Sequence, residues 1–389
     1  MTLETLDFLL SERGAAVLAT LKPDDLHDRA ILSTLTRLRR TCSPQEAAAA
    51  MTLARLRLRG RAKFSRADVM FFTEEALQQA SGETISRYRA RRYAAFGRVA
   101  DLGCGIGGDT IGLAAASHEV IAVDRDLLRA RLARANVRVL GLGERVHVVC
   151  ADLRQQPWGT DAAFIDPSRR VEGRRVFSVY EMEPPLADIL ALRRWMPHMG
   201  VKVHPGVEDL GLPSDCEVEF ISENGTCKEA VLWFGDLSTG VPRRATLLPG
   251  GHTLAWEEVE PVPVGPPGAY LYEPDPAVIR AHVVEHLAWQ IGAHKLDEEI
   301  AYLTGDRAVQ TPFARCYPIW EALPFNLKEL NRRLRALGVG SVIVKKRGSA
   351  VDPEAFRRRL KTVPGGRPAV VILTQAADRP IMLICGEAL

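Results

Sequence analysis

The chain has 389 residues, of which 47% are hydrophobic and 25% are charged, and its formal net charge is +3. This length predicts two or three domains, and the composition excludes an intrinsically disordered protein. Its apolar runs fall short of the roughly 20 residues of a membrane helix, and the acidic Glu4 and Asp7 argue against a signal peptide. The seven cysteines are scattered without a Cys-x-x-Cys pair, so neither a disulfide framework nor a zinc site is expected. We therefore expect a cytoplasmic globular protein with reduced thiols and no bound metal.

Helical patterns dominate the first 96 residues. Ser43 is placed to cap a helix in which Pro44 takes the first position and Glu46 completes a capping box. Further helices are predicted from the spacing of apolar residues, at residues 24–40, 64–81 and 82–93. This region is predicted to form a helical cap against the domain that follows.

A hydrophobic strand ending in Asp101 runs straight into a glycine turn that opens a helix. Gly103, Gly105 and Gly107 remove side chains that would keep a ligand from the backbone, and they supply the positive φ of a tight turn. With Gly108, the spacing also fits a dinucleotide-binding loop. Asp101 separates these interpretations, because a carboxylate repels a pyrophosphate but suits the ammonium and sulfonium charges of S-adenosylmethionine (SAM). The turn therefore predicts a SAM site, with a turn that binds no ligand as the alternative.

Two more acidic residues follow the next predicted strands. Asp124 ends a strand about 20 residues beyond the glycine turn, where a carboxylate can accept both ribose hydroxyls. Asp152 and Leu153 follow a third strand at residues 145–150. Asp152 is predicted to accept from the adenine amino group or, alternatively, to cap a helix.

A fourth strand, at residues 162–165, ends in Asp-Pro-Ser at residues 166–168. At the carboxyl edge of an open parallel sheet, such a segment borders the ligand crevice. The sheet is predicted to close with strands at residues 200–203, 217–221 and 229–234. Asn224 and Gly225 signal a hairpin between the last two strands. The alternation of strands and helices predicts a doubly wound parallel sheet with a reversed last strand.

A Pro- and Gly-rich stretch at residues 261–268 marks a domain boundary. Beyond it the sequence predicts helices at residues 277–292, 326–337 and 353–360, and strands at residues 341–344, 369–373 and 380–384. His282 and His286 have the i, i+4 spacing of a metal pair on the first of these helices, but Glu285 is at the wrong offset for a metalloprotease motif. The segment is therefore predicted to form a small α+β domain without a metal site.

The order of glycine turn, two acids and Asp-Pro turn, from about Arg98 to Phe234, resembles the class I SAM-dependent methyltransferases. The chain is most similar to bacterial methyltransferases with a THUMP-like C-terminal domain, and more distantly to cap-trimethylguanosine synthases. The likeness rests on residues 79–81 (Gln-Ala-Ser), 88–90 (Tyr-Arg-Ala), 105–110 (Gly-Ile-Gly-Gly-Asp-Thr), 166–170 (Asp-Pro-Ser-Arg-Arg), 202–206 (Lys-Val-His-Pro-Gly) and 345–348 (Lys-Lys-Arg-Gly). It implies an α/β fold in three parts: a helical N-terminal region at residues 1–96, a Rossmann-like methyltransferase domain with a doubly wound sheet at 97–260, and a small α+β THUMP-like domain at 268–389.

The resemblance also completes the set of predicted site residues. SAM binding is predicted for Asp101, Gly103, Cys104, Gly105, Gly107, Gly108, Asp109, Thr110, Asp124, Arg125, Asp152 and Leu153. Catalysis is predicted for Asp166, Pro167 and Ser168. Cys104 is interpreted as a small residue that fills a tight turn.

The catalytic segment departs from the usual pattern of amino-directed nucleic-acid methyltransferases. Those enzymes carry Pro and then an aromatic residue in the third and fourth places, where Ser168 and Arg169 stand here. Asp166 and the Pro167 carbonyl still suit an amino group as acceptors, but the ring that stacks on the base must come from another segment. Three residues qualify by type, with core packing as the alternative: Phe71, Phe177 and Tyr180.

Basic residues cluster on both sides of the predicted cofactor domain. Arginine's planar fork suits phosphate, although a solvated helix face is the alternative for any one cluster. The residues predicted to bind RNA are Arg87, Arg91, Arg169, Arg170, Lys345, Lys346 and Arg347. For the last three this follows only by analogy with RNA-binding THUMP domains. We therefore expect methylation of a nitrogen of an RNA base, in tRNA or rRNA, with two alternatives: a methyltransferase acting on a small molecule, and a non-catalytic SAM-binding RNA-interaction protein.

Overall fold

The computed structural model describes residues 1–155, 158–168, 170–171, 174–175, 182–208 and 211–389. The chain divides into two units: the first comprises Met1–Cys216 with Val231–Thr239, and the second comprises Glu217–Ala230 with Gly240–Leu389. The domain limits predicted at residues 96, 97–260 and 268 stay predictions. No helix in the described ranges is long and apolar enough to cross a membrane.

The first unit begins with helices and continues with alternating strands and helices. Its helices are α1 (Leu3–Leu10), α2 (Glu12–Ala19), α3 (Ile31–Leu38), α4 (Pro44–Gly60), α5 (Glu74–Gln79), α6 (Glu83–Ala90), α7 (Gly108–Ala116), α8 (Leu127–Val139) and α9 (Leu186–Ala191). Its strands are β1 (Arg98–Leu102), β2 (Glu119–Asp124), β3 (Val146–Cys150), β4 (Ala162–Ile165), β5 (Arg170–Val171), β6 (Arg174–Arg175) and β7 (His198–Val203). The hairpin strands β8 (Glu217–Glu223) and β9 (Thr226–Trp233) follow, and β9 enters the first unit at Val231.

The sheet of the first unit has the strand order β9-β7-β4-β1-β2-β3. Strands β7, β4, β1, β2 and β3 pair in parallel. Every residue of β4 is buried, as expected of parallel strands that are covered on both faces. Because the strands are parallel, the segments that follow β1, β2, β3 and β4 meet at one edge of the sheet.

The helical N-terminal region packs against the glycine turn and helix α8, which flank this sheet. Its core includes Leu6 and Phe72 together with Ile106 and Leu132 from the segments around the glycine turn and α8. The capping box at the start of α4 is confirmed, since the Glu46 backbone N–H donates to the Ser43 hydroxyl over 3.2 Å and the Ser43 N–H donates to the Glu46 carboxylate over 2.8 Å.

The prediction of a single helix at residues 64–81 is wrong. A 3-10 turn at Ala67–Val69 and the short helix α5 take its place. Between them, the Phe71 N–H donates to the Asn136 side-chain oxygen over 2.7 Å, and the Asn136 amide donates to the Phe71 carbonyl over 3.1 Å. These long-range hydrogen bonds take both backbone groups of Phe71 out of helical pairing. The predicted helix at residues 24–40 is likewise shorter, since two 3-10 turns precede α3.

The second unit contains most of the remaining strands and four short helices. After β8 come β10 (Arg243–Leu248), β11 (His252–Ala255), β12 (Tyr270–Pro274), β13 (His294–Lys295), β14 (Leu303–Gly305), β15 (Ala314–Pro324), β16 (Val339–Lys346), β17 (Arg367–Ala376) and β18 (Arg379–Cys385). The helices are α10 (Pro276–Arg280), α11 (Val284–Ile291), α12 (Leu327–Ala336) and α13 (Pro353–Arg357). A seven-stranded sheet has the order β13-β14-β12-β15-β18-β17-β16, and α12 and α13 pack on it around Leu330, Leu334 and Phe356.

One turn prediction and one helix prediction in this unit have different outcomes. The hairpin at Asn224 and Gly225 is confirmed, with φ of 51° and 75° at these residues, as a tight hairpin turn requires. The helix predicted at residues 277–292 is broken into α10 and α11 at His282, whose φ is 57°. His282 and His286 therefore do not share one helix, and their i, i+4 spacing does not place them as a pair.

Candidate active site

A cavity of about 910 Å³ opens at the carboxyl edge of the first unit's sheet. Its walls include most of the predicted cofactor residues and all three predicted catalytic residues: Gly103, Cys104, Gly105, Gly108, Asp109, Asp124, Arg125, Asp152, Leu153, Asp166, Pro167 and Ser168. Asp101 and Thr110 are buried just behind these walls, and Gly107 caps α7. The volume lies within the usual range of small-molecule sites.

The glycine turn shapes the floor of the cavity. Gly103, Gly105 and Gly107 have φ of 88°, 56° and 88°, which side chains other than glycine rarely adopt. A Cβ at Gly103 would stand 2.6 Å from the Asp166 carbonyl oxygen, so the turn is in close contact with the segment that follows β4. A Cβ at Gly105 would meet no atom within 4 Å, because it would project into open space at the cavity wall. The turn thus exposes its backbone to a ligand.

Asp124 is held by the backbone on both carboxylate oxygens. The Gly105 N–H donates to Oδ2 and the Asp126 N–H to Oδ1, each over 2.9 Å. Burial raises the pKa of this carboxyl group despite these hydrogen bonds. Each oxygen has a further lone pair, so a fixed carboxylate at the cavity wall suits a pair of ribose hydroxyls.

We expect Asp124→Ala to weaken binding of SAM and S-adenosylhomocysteine by about 1–3 kcal/mol, roughly 5- to 150-fold, because charged hydrogen bonds to the ribose are lost. Isothermal titration calorimetry measures this effect. Glu119→Ala is the matched control, since Glu119 lies at the opposite end of β2 and pairs with Arg98 over 2.6 Å. Equal losses in both variants would contradict the role of Asp124.

Asp152 lies at the cavity wall and forms an ion pair with Arg154. The Arg154 side chain donates to both carboxylate oxygens, over 3.0 and 2.7 Å, and holds the pKa of Asp152 at about 2. The Arg154 N–H also donates to Oδ1 over 2.9 Å, and the described residues that follow form a turn. The alternative role of Asp152 as a helix N-cap is therefore wrong, and its predicted contact with adenine stays a prediction.

Asp101 and Asp109 are two neighbouring acids at the buried end of the site. Thr110 donates its hydroxyl to Asp101 Oδ2, whereas Asp101 Oδ1 is buried and has no hydrogen-bond partner among the described residues. Burial and the nearby Asp109 charge raise the pKa of Asp101 to about 8. A cationic ligand beside Asp101 would favour its ionised form, so this orphaned acid fits a positively charged group.

The Asp101 pKa predicts how the stability of the ligand-free protein depends on pH. In the unfolded chain the group releases its proton near 3.8, but in the folded protein it keeps the proton up to about pH 8. Between these values the folded state binds more protons, so stability falls as pH rises, by at most about 1.4 kcal/mol per pH unit. Denaturant unfolding at pH 5 and pH 8 measures this slope, and Asp101→Asn should flatten it. An unchanged slope in that variant would contradict the assignment.

The site also contains three side chains to which the sequence assigned no role in cofactor binding or catalysis: Ser81, Arg89 and Lys202. Lys202 Nζ donates to Asp166 Oδ2 over 2.7 Å and to Ser81 Oγ over 2.9 Å. Ser81 Oγ donates to Asp109 Oδ2 over 3.0 Å, and Arg89 forms an ion pair with the same carboxylate. All three lie in the segments 79–81, 88–90 and 202–206 that carry the family resemblance. Arg89 also belongs to the basic residues at 87–92 that were expected to bind phosphate, and this expectation is wrong for Arg89 because it is buried and paired with Asp109.

Other predicted site residues have varied surroundings. Cys104 is buried, and burial raises the pKa of its thiol, which suits a filler of the turn. Arg125 is mostly exposed and pairs with Glu183 over 3.1 Å. Phe71 is buried beneath Arg57, whose guanidinium carbon lies 5.3 Å from the ring centroid, so core packing describes it. Three predicted residues lie outside the described residues, namely Arg169, Phe177 and Tyr180, as does the side chain of Arg170.

Several of the residues predicted to bind RNA form hydrogen bonds or ion pairs within the protein. Arg87 and Arg91 are exposed on the first unit, although Arg87 pairs with Glu83. In the second unit Lys345 donates to the Tyr317 hydroxyl over 2.8 Å and pairs with Glu273. Arg347 donates to the Ala301 carbonyl over 2.8 Å, and Lys346 is exposed.

Comparison with known proteins defines the class to which this fold and cavity belong. The family model described as RNA cap guanine-N2 methyltransferase matches residues 96–186, one described as THUMP domain-like matches residues 314–387, and a domain of unknown function matches residues 2–60. A protein of Porphyromonas gingivalis W83 described as a methyltransferase shares the fold, with a TM-score of 0.77 and 22% identity over 98% of this chain and 97% of its own.

An uncharacterized S-adenosylmethionine-dependent methyltransferase of Mycobacterium tuberculosis is 37% identical over 309 residues, which cover 78% of this chain and 84% of the relative. A 23S rRNA (uracil(1939)-C(5))-methyltransferase of Xylella fastidiosa is 41% identical over 83 residues, 20% of this chain and 19% of the relative. The chain belongs to the family of SAM-dependent methyltransferases with a THUMP-like C-terminal domain, and its cofactor is SAM.

Proposed function

We propose that this enzyme methylates an exocyclic or ring nitrogen of a base in RNA. The observation that carries the proposal is the Asp166-Pro167 segment, which follows β4 and lines the same cavity as Gly105 and Asp124. The Asp166 carboxylate and the Pro167 backbone carbonyl are acceptors on consecutive residues, and such a pair suits the two N–H bonds of an amino group. Position and orientation then supply much of the rate enhancement.

The chemistry divides between the cofactor and the chain. SAM supplies an electrophilic methyl group when bound. A base amino group is a weak nucleophile because its lone pair is delocalised into the ring, so hydrogen bonds to Asp166 and the Pro167 carbonyl would favour the form with a localised lone pair. The nitrogen then loses a proton, and Asp166 is positioned to accept it or pass it to water.

The family comparisons favour RNA as the substrate class. Both the guanine-N2 methyltransferase model and the THUMP domain-like model describe RNA-related domains, and the first names an exocyclic nitrogen as its target. The short match to a uracil-C5 enzyme favours RNA but another atom. Methylation of a pyrimidine at C5 needs a nucleophilic thiol. Burial raises the pKa of the Cys104 thiol at the cavity wall, which argues against that chemistry here.

The experiment that tests the proposal uses total RNA from a deletion strain of the source organism. Purified protein and methyl-labelled SAM are added, the RNA is digested, and the nucleosides are separated by mass spectrometry. Label on a base nitrogen supports the proposal. A parallel reaction contains the small-molecule fraction of the strain's cell extract in place of RNA. Label on C5 of a pyrimidine, or label in this fraction with none in RNA, contradicts the proposal.

We expect binding of that RNA to weaken steeply with salt, because each phosphate contact releases counterions. Lys346→Ala should flatten the slope of log K against log salt by up to about one, since Lys346 is the exposed member of its cluster. Lys328→Ala removes another exposed lysine, at the start of α12, and is the control. Filter binding at several salt concentrations measures both slopes, and equal slopes in all three proteins would exclude Lys346 from the RNA surface.

A further inference from the structure

A continuous chain of hydrogen bonds links the catalytic segment to the cofactor end of the cavity. It runs from Asp166 through Lys202 and Ser81 to Asp109 and then to Arg89. Its members come from five places in the sequence: the ends of β4 and β7, the loop before α6, α6 itself and the first turn of α7. Segments that are far apart in the sequence thus form one polar unit.

Strand register explains why Lys202 reaches Asp166. Ile165 of β4 pairs in parallel with Val201 of β7, so Asp166 and Lys202 are the next residues along neighbouring strands. The Lys202 side chain is 5% exposed and that of Asp166 is 21% exposed, because Asp166 faces the cavity. The sheet itself therefore fixes the lysine behind the carboxylate.

Burial of this lysine needs an explanation. Removing an ammonium group from water costs several kcal/mol, and an apolar residue at such a position is often as stable as the ion pair. Lys202, Arg89, Asp109 and Ser81 are all buried. The Arg89 guanidinium also lies over the Phe164 ring, 4.3 Å from its centroid. Stability alone therefore does not account for a lysine here.

We propose that Lys202 is the positioning residue for Asp166. We further propose that it adapts the end of the cavity that receives the methyl acceptor to an uncharged base nitrogen. Lys202 donates to Oδ2, which leaves Oδ1 as the oxygen that would accept from the methyl acceptor. It also balances the Asp166 charge, as Arg89 balances that of Asp109. A cationic amine gains little from a carboxylate that is already paired, whereas a neutral amino group still gains a hydrogen bond. This inference rests on the proposed methylation of a base nitrogen.

A double-mutant cycle tests the inference. Lys202→Met, Asp166→Asn and the double variant are assayed on total RNA from the deletion strain. Lys202→Met should lower kcat at least 30-fold while the Kd for S-adenosylhomocysteine stays within about twofold. The double variant should lose no more than Asp166→Asn alone, within about threefold, because a residue that acts through Asp166 has no effect once Asp166 is changed. Additive losses would overturn the inference.

Two more variants separate positioning from folding. Lys202→Gln keeps a hydrogen-bond donor without the charge and remains informative if Lys202→Met does not fold; it should also lower kcat at least tenfold. Lys295→Met is the matched control, since Lys295 is mostly buried and pairs with Glu285 over 3.0 Å in the second unit. Its kcat should stay within twofold of wild type. A wild-type kcat in Lys202→Gln, or an equal loss in Lys295→Met, would overturn the inference.

A measurement without substrate separates this inference from the proposed function. In denaturant unfolding, Lys202→Met should reduce the folding equilibrium constant of the wild-type protein at least tenfold more than it reduces that of the Asp166→Asn variant. The reason is that Lys202→Met leaves a charged carboxylate without its partner only where Asp166 is still present. If no RNA nitrogen is labelled, the proposed function fails. The pairing of Lys202 with Asp166 is then judged by this unfolding cycle, where coupling supports it and additivity overturns it.

Discussion

Asp166→Ala is expected to lower kcat on RNA by about 10²- to 10⁴-fold, with SAM affinity nearly unchanged. The carboxylate stands at the carboxyl end of β4, pairs with Lys202 and lines the cavity. An interaction that strengthens as the nitrogen is alkylated acts on the transition state and leaves ground-state binding of the cofactor intact. Single-turnover methyl transfer and calorimetry with S-adenosylhomocysteine measure the two quantities.

Asp161→Ala is the matched control for this experiment. Asp161 is exposed just before the opposite end of β4, so it tests the loss of a carboxylate from the same strand without touching the cavity. Its kcat should stay within about twofold of wild type. Full activity of Asp166→Ala on the true substrate would remove Asp166 from its role, and an equal fall of kcat in both variants would indicate a general effect on the sheet.

Gly103→Ala is expected to destabilise the protein by about 2–5 kcal/mol. A side chain at φ of 88° costs about 1–2 kcal/mol, and the new Cβ would stand 2.6 Å from the Asp166 carbonyl oxygen, which forces a backbone shift worth about 1–3 kcal/mol. That shift would also displace the catalytic segment. Denaturant unfolding and kcat should therefore both be affected.

Gly105→Ala separates strain from ligand contact. Its φ of 56° is mildly unfavourable, and its Cβ would meet no protein atom within 4 Å, so the loss of stability should be only about 1 kcal/mol. The Cβ would nevertheless enter the cavity, and SAM affinity should fall at least tenfold because the backbone can no longer approach the ligand closely. If Gly103→Ala proves as stable as wild type, the close contact of the turn with Asp166 is wrong.

Local patterns in the sequence were sufficient for the parallel strands of the first unit, the glycine turn and the acids that line the cavity, but they did not predict strands β11 to β15. A turn with positive φ needs glycine wherever it occurs, and a run of buried parallel strands reads as a continuous apolar segment. Because parallel strands place their carboxyl ends at one edge, Asp124 and Asp166 could be assigned to one cavity without coordinates. These features depend on neighbours in the chain or on the repeat of one supersecondary unit.

Contacts between distant segments were decided only by the tertiary structure. The helix predicted at residues 64–81 is interrupted because Asn136, from α8, takes both backbone groups of Phe71. Lys345 was predicted to meet RNA, yet its ammonium pairs with Glu273.

The same holds for the site itself. The sequence placed Lys202 in a predicted strand but did not indicate its partner, and the register of β4 and β7 brings it to Asp166. Hydrogen-bond and ion-pair partners are chosen by three-dimensional proximity and burial, which residue type and spacing do not encode. The sequence by itself therefore determined the class of fold, the cofactor and the acids at the edge of the sheet, and the packing of the strands and helices decided what surrounds the Asp166 carboxylate.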